Sequence, residues 1–300
     1  MKNFSVVFQG KFEEKYLPNI LKALIYTDDV IVSTWANCIS ETSRDILNRA
    51  DVKIIESIDP GSITAYHQDG YIKQLNIKRM AMGLYNGSKD SKYDLIIKTR
   101  LDISLDYRKF ADIWIESGKD FASLNVTSNC PQRLLGYPYL FCISDWCFGI
   151  NKNYLNNIAP SLIDESRIKR STPITIKDMR WETKIGAEQI LCLLLTQPLE
   201  LLYKFENRKS LKQIDECHKQ MHINSLHKFC NVNRNKLDFV SYKYNAFGVK
   251  WLNYDAPDFS DNSYFKENIY QLPVFIASML YRKLRALSRC ITSYVFVKNN

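Results

Sequence analysis

The chain has 300 residues, above the roughly 100–200 of an ordinary domain, so it forms one large domain with an appendage or two smaller ones. Its 46% hydrophobic, 24% charged and 13% aromatic content excludes collagen-like, low-complexity and wholly disordered chains. The net charge of +9 is unevenly placed: residues 1–200 hold 25 Lys+Arg against 24 Asp+Glu while 201–300 hold 16 against 8, so a surface that attracts phosphates, nucleic acid or an anionic membrane belongs to the last third.

In chain order, Phe4 to Gly10 is a short apolar, β-branched run ended by glycine, a buried strand that delivers a loop at Gln9-Gly10. Leu17, Ile20, Leu21, Leu24 and Ile25 recur at helical spacing, and Val30 to Trp35 is a second strand. Residues 41–50 are helical, Val52 to Ile55 is a third strand, and Asp59-Pro60-Gly61 is a turn. This β-α-β-α-β order predicts an α/β fold, a Rossmann-type, mostly parallel sheet flanked by helices. After a loop containing Gly, Tyr and Gln, the spacing of Ile72, Leu75, Ile77, Met80 and Leu84 predicts one long helix over 71–85. Tyr93 to Asp102 is the next strand; its apolar run ends in Lys98, Arg100 and Asp102, at the carboxyl end where open α/β sheets bind ligands. A strand at Tyr139 to Ile143 is expected to lead into Ser144-Asp145-Trp146, and a helix over 186–197 to carry Glu188 in its first turn.

Beyond residue 200 the pattern is less regular, which sets expected regions of 1–200 for the core and 201–300 for a basic, partly helical C-terminal part. Residues 204–236 are basic, 237–265 are aromatic and strand-like, and 272–296 predict an amphipathic helix with Ile276, Leu280, Leu284, Leu287 and Ile291 on one face. Residues 281–300 hold five Lys/Arg and no acidic residue, which suits apposition to an anionic membrane. No apolar run approaches the roughly 20 residues of a spanning helix, and the first ten residues are not a signal peptide, so a cytoplasmic location is expected. Eight cysteines without a CxxC fit reduced thiols. GxGxxG, GxxxxGK, GxSxG and HExxH patterns are all absent.

The strand end Lys98-Thr99-Arg100-Leu101-Asp102 admits two readings: solvated charges, or a site for a nucleotide-sugar diphosphate. In the second, a carboxylate holds a divalent metal that bridges phosphates, or cations neutralise them directly. Strand geometry puts Lys98, Arg100 and Asp102 on one face, so Asp102 has Arg rather than a second Asp as its close partner. Asn76 and Arg79, three apart, share a helical face. Asp145-Trp146 can form a sugar-binding corner, with the ring stacked on a sugar and the carboxylate accepting its hydroxyls. Glu188 is the candidate general base of an inverting transfer and Asp145 the reserve, the alternative for Glu188 being a helix-dipole role. Cys217, His218, His222, His227 and Cys230 lack a good zinc spacing.

Phe4 to Gly10, Ser33-Thr34-Trp35, Asp59-Pro60, Asn76-Ile77-Lys78-Arg79, Gly83-Leu84, Lys98 to Asp102 and Asp145 to Gly149 occur in the order of the WavE family of lipopolysaccharide-synthesis proteins, which the chain resembles over about residues 4–200. That resemblance implies a GT-A-like glycosyltransferase. Gln9 and Gly10 would border the nucleotide, Asn76, Arg79, Lys98 and Arg100 would neutralise its diphosphate, Asp102 would hold Mg²⁺ or Mn²⁺, Asp145 and Trp146 would meet the sugar, and Asp145 or Glu188 would take the proton. Met80 stands where the family usually has Gln. The implied partners are a nucleotide-sugar donor, a lipid-linked glycan acceptor (lipopolysaccharide core, O-antigen or capsule) and the inner face of the bacterial inner membrane, with no nucleic acid. The rival readings are a non-catalytic RNA- or polyanion-binding protein and a nucleotidyl- or sugar-phosphate transferase.

Overall fold

The computed structural model describes residues 3–67, 72–124, 145–163, 175–176, 191, 195, 228–232 and 236–241, all within one unit formed by Met1–Ser128 and Leu140–Ser260. Its centre is a seven-stranded sheet. β1 (Phe4–Gln9), β2 (Val30–Trp35) and β3 (Lys53–Ser57) are joined by α1 (Leu17–Ala23) and α2 (Glu41–Arg49) and run parallel. All residues of β1 and β2 are buried, as expected of strands covered on both faces.

The chain then crosses back. β6 (Leu95–Arg100) pairs with β1 on the side away from β2, with Gln9 opposite Arg100. The strand order reverses between β1 and β6, and the crevice outside the carboxyl ends at such a reversal is where open α/β sheets hold their ligands. β9 (Cys147–Asn151) is antiparallel to β6 and to β8 (Phe121–Leu124), and β11 (Phe229–Val232) runs parallel to β8. Among the described residues six strands of this sheet therefore run one way, and β9 runs against them. The fold is α/β with a mostly parallel sheet flanked by helices, as the sequence predicts.

β1 alternates between faces. Phe4, Val6 and Phe8 enter the large core with Ile20 of α1 and Phe110, Ala111 and Trp114 of α4 (Tyr107–Ser117). On the other face lies α3 (Ile77–Lys89), pressed so close that a Cβ on Gly87 would meet Val7 Cγ1 at 2.5 Å. A Cβ on Gly83 would meet Gln9 Nε2 at 2.5 Å, and Ser33 Oγ donates to the Gly83 carbonyl at 2.8 Å. α5 (Lys152–Ile163) follows β9 and packs beside α3.

Two expectations are corrected, and a third lies outside the described residues. The helix over 71–85 is a strand followed by a helix: β5 (Ile72–Leu75) pairs antiparallel with β4 (Ile63–His67), and only from Ile77 is the chain helical. The expected loop before it is thus largely a hairpin, which joins β10 (Thr175–Ile176) in a small sheet. At Asp145-Trp146 the described strand follows the pair, as β9; the strand expected at 139–143 lies outside the described residues. Asp102 stands beyond β6 in a turn that leads to β7 (Ile103–Ser104), which pairs with β12 (Val240–Ser241).

Glu188, Cys217, His218, His222, His227 and the helix expected at 272–296 also lie outside the described residues. Among the described residues Cys38, Cys147 and Cys230 are free thiols, and no helix is long and apolar enough to cross a membrane.

Candidate functional site

The carboxyl edge at the β1/β6 switch is where the predicted residues meet. Gly10 turns the chain out of β1 with φ +135°, a conformation open to glycine and strained for any L side chain. The loop it starts is tied back to β2: Gly10 N–H donates to Ser33 O at 3.2 Å and Phe12 N–H to Thr34 Oγ1 at 3.1 Å. Gln9, 7% exposed, donates Nε2 to the carbonyls of Arg79 and Met80 at 2.7 and 2.9 Å, locking the first turn of α3 to the end of β1. Its Oε1 is buried with no hydrogen-bond partner among the described residues. This contact explains Gly83, since any side chain there would collide with the Gln9 amide.

Arg79 extends from α3 to the turn after β3. Its Nε and Nη2 donate to the two oxygens of Asp59 at 2.7 and 2.6 Å, and its Nη1 donates to Asn76 Oδ1 at 3.0 Å. The Arg79 hydrogen bonds hold the Asp59 carboxyl below its ordinary range. Asn76 and Arg79 do act together, as their spacing predicts, and Asp59 is the third member.

On β6 the expected common face of Lys98 and Arg100 is observed, since the register sets them beside Val7 and Gln9. Their surroundings differ. Lys98 is 2% exposed; its Nζ donates to the Asp145 carbonyl and lies 5.3 Å from the centre of the Phe148 ring. Burial pushes its pKa down to about 8, against a pull upward from the Asp145 charge. The Arg100 side chain is 23% exposed and forks onto Asp102, Nε to Oδ1 and Nη2 to Oδ2, both at 2.8 Å. Its Nη1 is 3.9 Å from Asp145 Oδ2. Asp102 is thus paired with Arg, as expected, although it reaches that partner from a turn. The Leu101 carbonyl just before it accepts Nδ2 of buried Asn19 at 2.9 Å.

Because β9 runs against β6, Asp145 and Trp146 enter at this same edge. Arg100 N–H donates to Trp146 O at 3.0 Å, and the guanidinium carbon sits 5.9 Å from the indole centre. Trp146 is 5% exposed and stacks on Phe239, with centroids 5.9 Å apart and planes at 13°. Its ring is a buried wall behind Arg100. The next residue, Cys147, is fully buried, and burial raises its thiol pKa to about 12, so it is an inert core residue.

The structure brings together Gln9, Gly10, Asn76, Arg79, Lys98, Arg100, Asp102, Asp145 and Trp146 at one end of the sheet. Sequence reasoning missed Asn19 and Phe239. A polar residue inside the apolar Leu17–Ala23 stripe was a signal for Asn19; Phe239, far along the chain, gave none. A divalent metal does not fit Asp102 as it stands. Both carboxylate oxygens are taken by one guanidinium, and among the described residues no three His, Cys, Asp or Glu side chains converge.

The pattern of a family described as WavE lipopolysaccharide synthesis matches residues 18–240. No curated protein matches the chain. Similar solved structures include HddC from Yersinia pseudotuberculosis, at 15% identity over 52% of this chain and 80% of that chain, with a TM-score of 0.33. S. aureus TarS 1-349, in complex with UDP-GlcNAc, is 11% identical over 75% of this chain and 80% of that chain (TM-score 0.38), and a longer TarS chain is covered over 33% of its length. Glucosyl-3-phosphoglycerate synthase from Mycobacterium tuberculosis, in complex with Mn²⁺, UDP and glucosyl-3-phosphoglycerate, is 8% identical over 76% of this chain and 80% of that chain (TM-score 0.35). At these scores they are likenesses only.

Proposed function

We propose that this chain, which belongs to the WavE lipopolysaccharide synthesis family, is a GT-A-like glycosyltransferase that moves a sugar from a nucleotide-sugar donor to a lipid-linked bacterial surface glycan. The observation that carries the reading is the convergence of Gln9, Arg100, Asp102 and Asp145 at the carboxyl edge where the strand order reverses. That crevice suits an anionic ligand with an attached polar ring. In this reading Gln9 and Gly10 border the nucleotide, and Arg100 meets the diphosphate with Asn76 and Arg79 beside it. The carboxylate of Asp145 accepts sugar hydroxyls.

Two roles follow the geometry rather than the motif. Lys98, fully enclosed, holds the Asp145 carbonyl and acts on the ligand through that corner. Trp146 walls the site instead of offering an open stacking face. Glu188 takes the acceptor proton, with Asp145 in reserve, and the excess positive charge of residues 201–300 draws the enzyme to an anionic leaflet where a lipid-linked acceptor lies.

The test is a screen of UDP-, GDP-, CMP- and dTDP-sugars for stabilisation of the chain, followed by identification of the nucleotide product with the stabilising donor. Release of the donor's nucleotide, a nucleoside diphosphate from a UDP-, GDP- or dTDP-sugar, is expected on adding the glycan acceptor. Release of pyrophosphate from a nucleoside triphosphate and a sugar phosphate, with no transfer from any nucleotide sugar, would point to a nucleotidyltransferase. Steeply salt-dependent RNA binding, with no response to any donor, would point to a polyanion-binding protein instead.

A further inference from the structure

Resting on the donor reading above, we propose that the Arg100 guanidinium, fixed by Asp102, receives the donor diphosphate in place of a divalent cation, so that Asp102 is a positioning residue rather than a metal ligand. The Asp102 side chain is 7% exposed and accepts two parallel hydrogen bonds of 2.8 Å from Arg100. This fork is the strong, direction-fixing form of an Arg–carboxylate pair. A metal on a remaining lone pair of that carboxylate would sit against the guanidinium, and for a metal to take both oxygens in its place the guanidinium must first leave. A bare cation would then stand beside the incoming metal, with the buried ammonium of Lys98 close by.

The remainder of the site agrees with an arginine in the central place. Asp102 holds the Nε and Nη2 edge, while Nη1 is turned toward Asp145 and the indole lies behind the guanidinium. Asn19 fixes the turn by donating Nδ2 to the Leu101 carbonyl, and Arg100 N–H is fixed to the Trp146 carbonyl. The side chain is therefore aimed from both ends before any ligand arrives. Planar, bidentate recognition of phosphate is what a guanidinium so held can supply.

The experiment measures binding of UDP, GDP, CDP and dTDP to the full chain by calorimetry and thermal shift, each in excess EDTA and in excess MnCl₂, alongside MnCl₂ alone. At least one nucleotide is expected to bind with the same affinity in both buffers, and MnCl₂ alone to leave the melting temperature unmoved. Arg100→Ala should weaken that nucleotide by about tenfold or more, and Arg100→Lys should restore only part of it. Asp102→Asn, which keeps the side-chain shape, should weaken it by less. The double variant Arg100→Ala/Asp102→Asn should be no worse than Arg100→Ala, because Asp102 acts through Arg100. Circular dichroism of each variant separates loss of fold from loss of site.

Nucleotide binding that requires Mn²⁺ and disappears in Asp102→Asn would overturn the proposal while leaving the glycosyltransferase reading standing. Unchanged binding in Arg100→Ala would overturn it as well. No binding of any nucleotide in either buffer would overturn the donor reading itself, and this proposal with it.

Discussion

The two ends of the central sheet treat buried charge in opposite ways. At the amino edge, Asp29 is 2% exposed and fully served: Ser5 Oγ and Lys92 N–H donate to Oδ2, and Lys53 Nζ donates to Oδ1 at 2.7 Å. Ser5 also accepts Tyr93 N–H at 3.2 Å, so β1, β2, β3 and the start of β6 are tied at one point. At the carboxyl edge, Lys98 is buried at the expense of its charged form, and Gln9 Oε1 has no partner among the described residues. Polar groups left in unfavourable surroundings at one end, beside a fully satisfied cluster at the other, mark the end where stability has been given up for a task.

The largest test breaks the satisfied end. Asp29→Ala leaves the buried Ser5 hydroxyl and the Lys92 N–H without their acceptor, while Lys53, 44% exposed, keeps the Asp90 carbonyl, so the expected loss of unfolding free energy is about 3 kcal/mol, read from denaturant titration. Per folded molecule, donor binding at the far edge should not change. A loss of binding equal to that of Arg100→Ala would erase the distinction between the ends.

Lys98→Met tests the opposite end with the opposite sign. The native pKa of Lys98 is lowered from 10.5 to about 8, so the unfolded chain binds more protons between those pH values and stability rises with pH across that window. Below pH 8 the buried ammonium costs up to about 3 kcal/mol, which methionine of similar volume removes. The variant should therefore melt higher than the parent at pH 7, lose the rise in stability between pH 8 and 10.5, and transfer sugar more slowly because the Asp145 carbonyl is no longer held. A variant that is less stable at pH 7 would show that Lys98 belongs to a satisfied cluster after all.

Gly83→Ala disturbs the carboxyl edge through packing. The new methyl would sit 2.5 Å from Gln9 Nε2, so Gln9 must move away from the Arg79 and Met80 carbonyls. Overpacking of this kind costs about 2 kcal/mol, and here it should also raise KM for the donor. Gly87→Ala, which meets Val7 and Ser33 one turn further from the edge, should cost similar stability and spare KM.

What the sequence discloses follows the same division. β1, β2 and β6 are legible because strands of a covered parallel sheet are continuous apolar runs, and Lys98, Arg100 and Asp102 stand out where such a run ends in charge. The β4–β5 hairpin is not legible, since Ile72 and Leu75 are three apart and fit a helix as well as a strand, and pairing with β4 decides between them. Nor does local pattern separate Lys98 from Arg100: both occupy the same face of β6, and the Asp145 corner that closes over Lys98 comes from the segment just before β9, 47 residues later. The Arg79–Asp59 pair lies 20 residues apart and depends on how α3 crosses the sheet.

The smallest prediction concerns that pair. Arg79 and Asp59 are 35% and 38% exposed, so water screens them, and Asp59→Asn should change stability by less than about 1 kcal/mol. Their fork nevertheless fixes where the guanidinium lies, and Asp59 also accepts Gly61 N–H at 2.9 Å, which sets the turn. A neutral amide keeps the shape and loses one side of the fork. If the carboxyl edge is built for position rather than stability, KM for the donor should rise by about threefold with kcat nearly unchanged, as expected for lost uniform binding. The same substitution at the amino edge, Asp29→Asn, should reverse the pattern, lowering stability while leaving KM alone. Equal responses from the two edges would mean that the exposed fork is an ordinary surface ion pair and that the asymmetry of the sheet stops at Arg100.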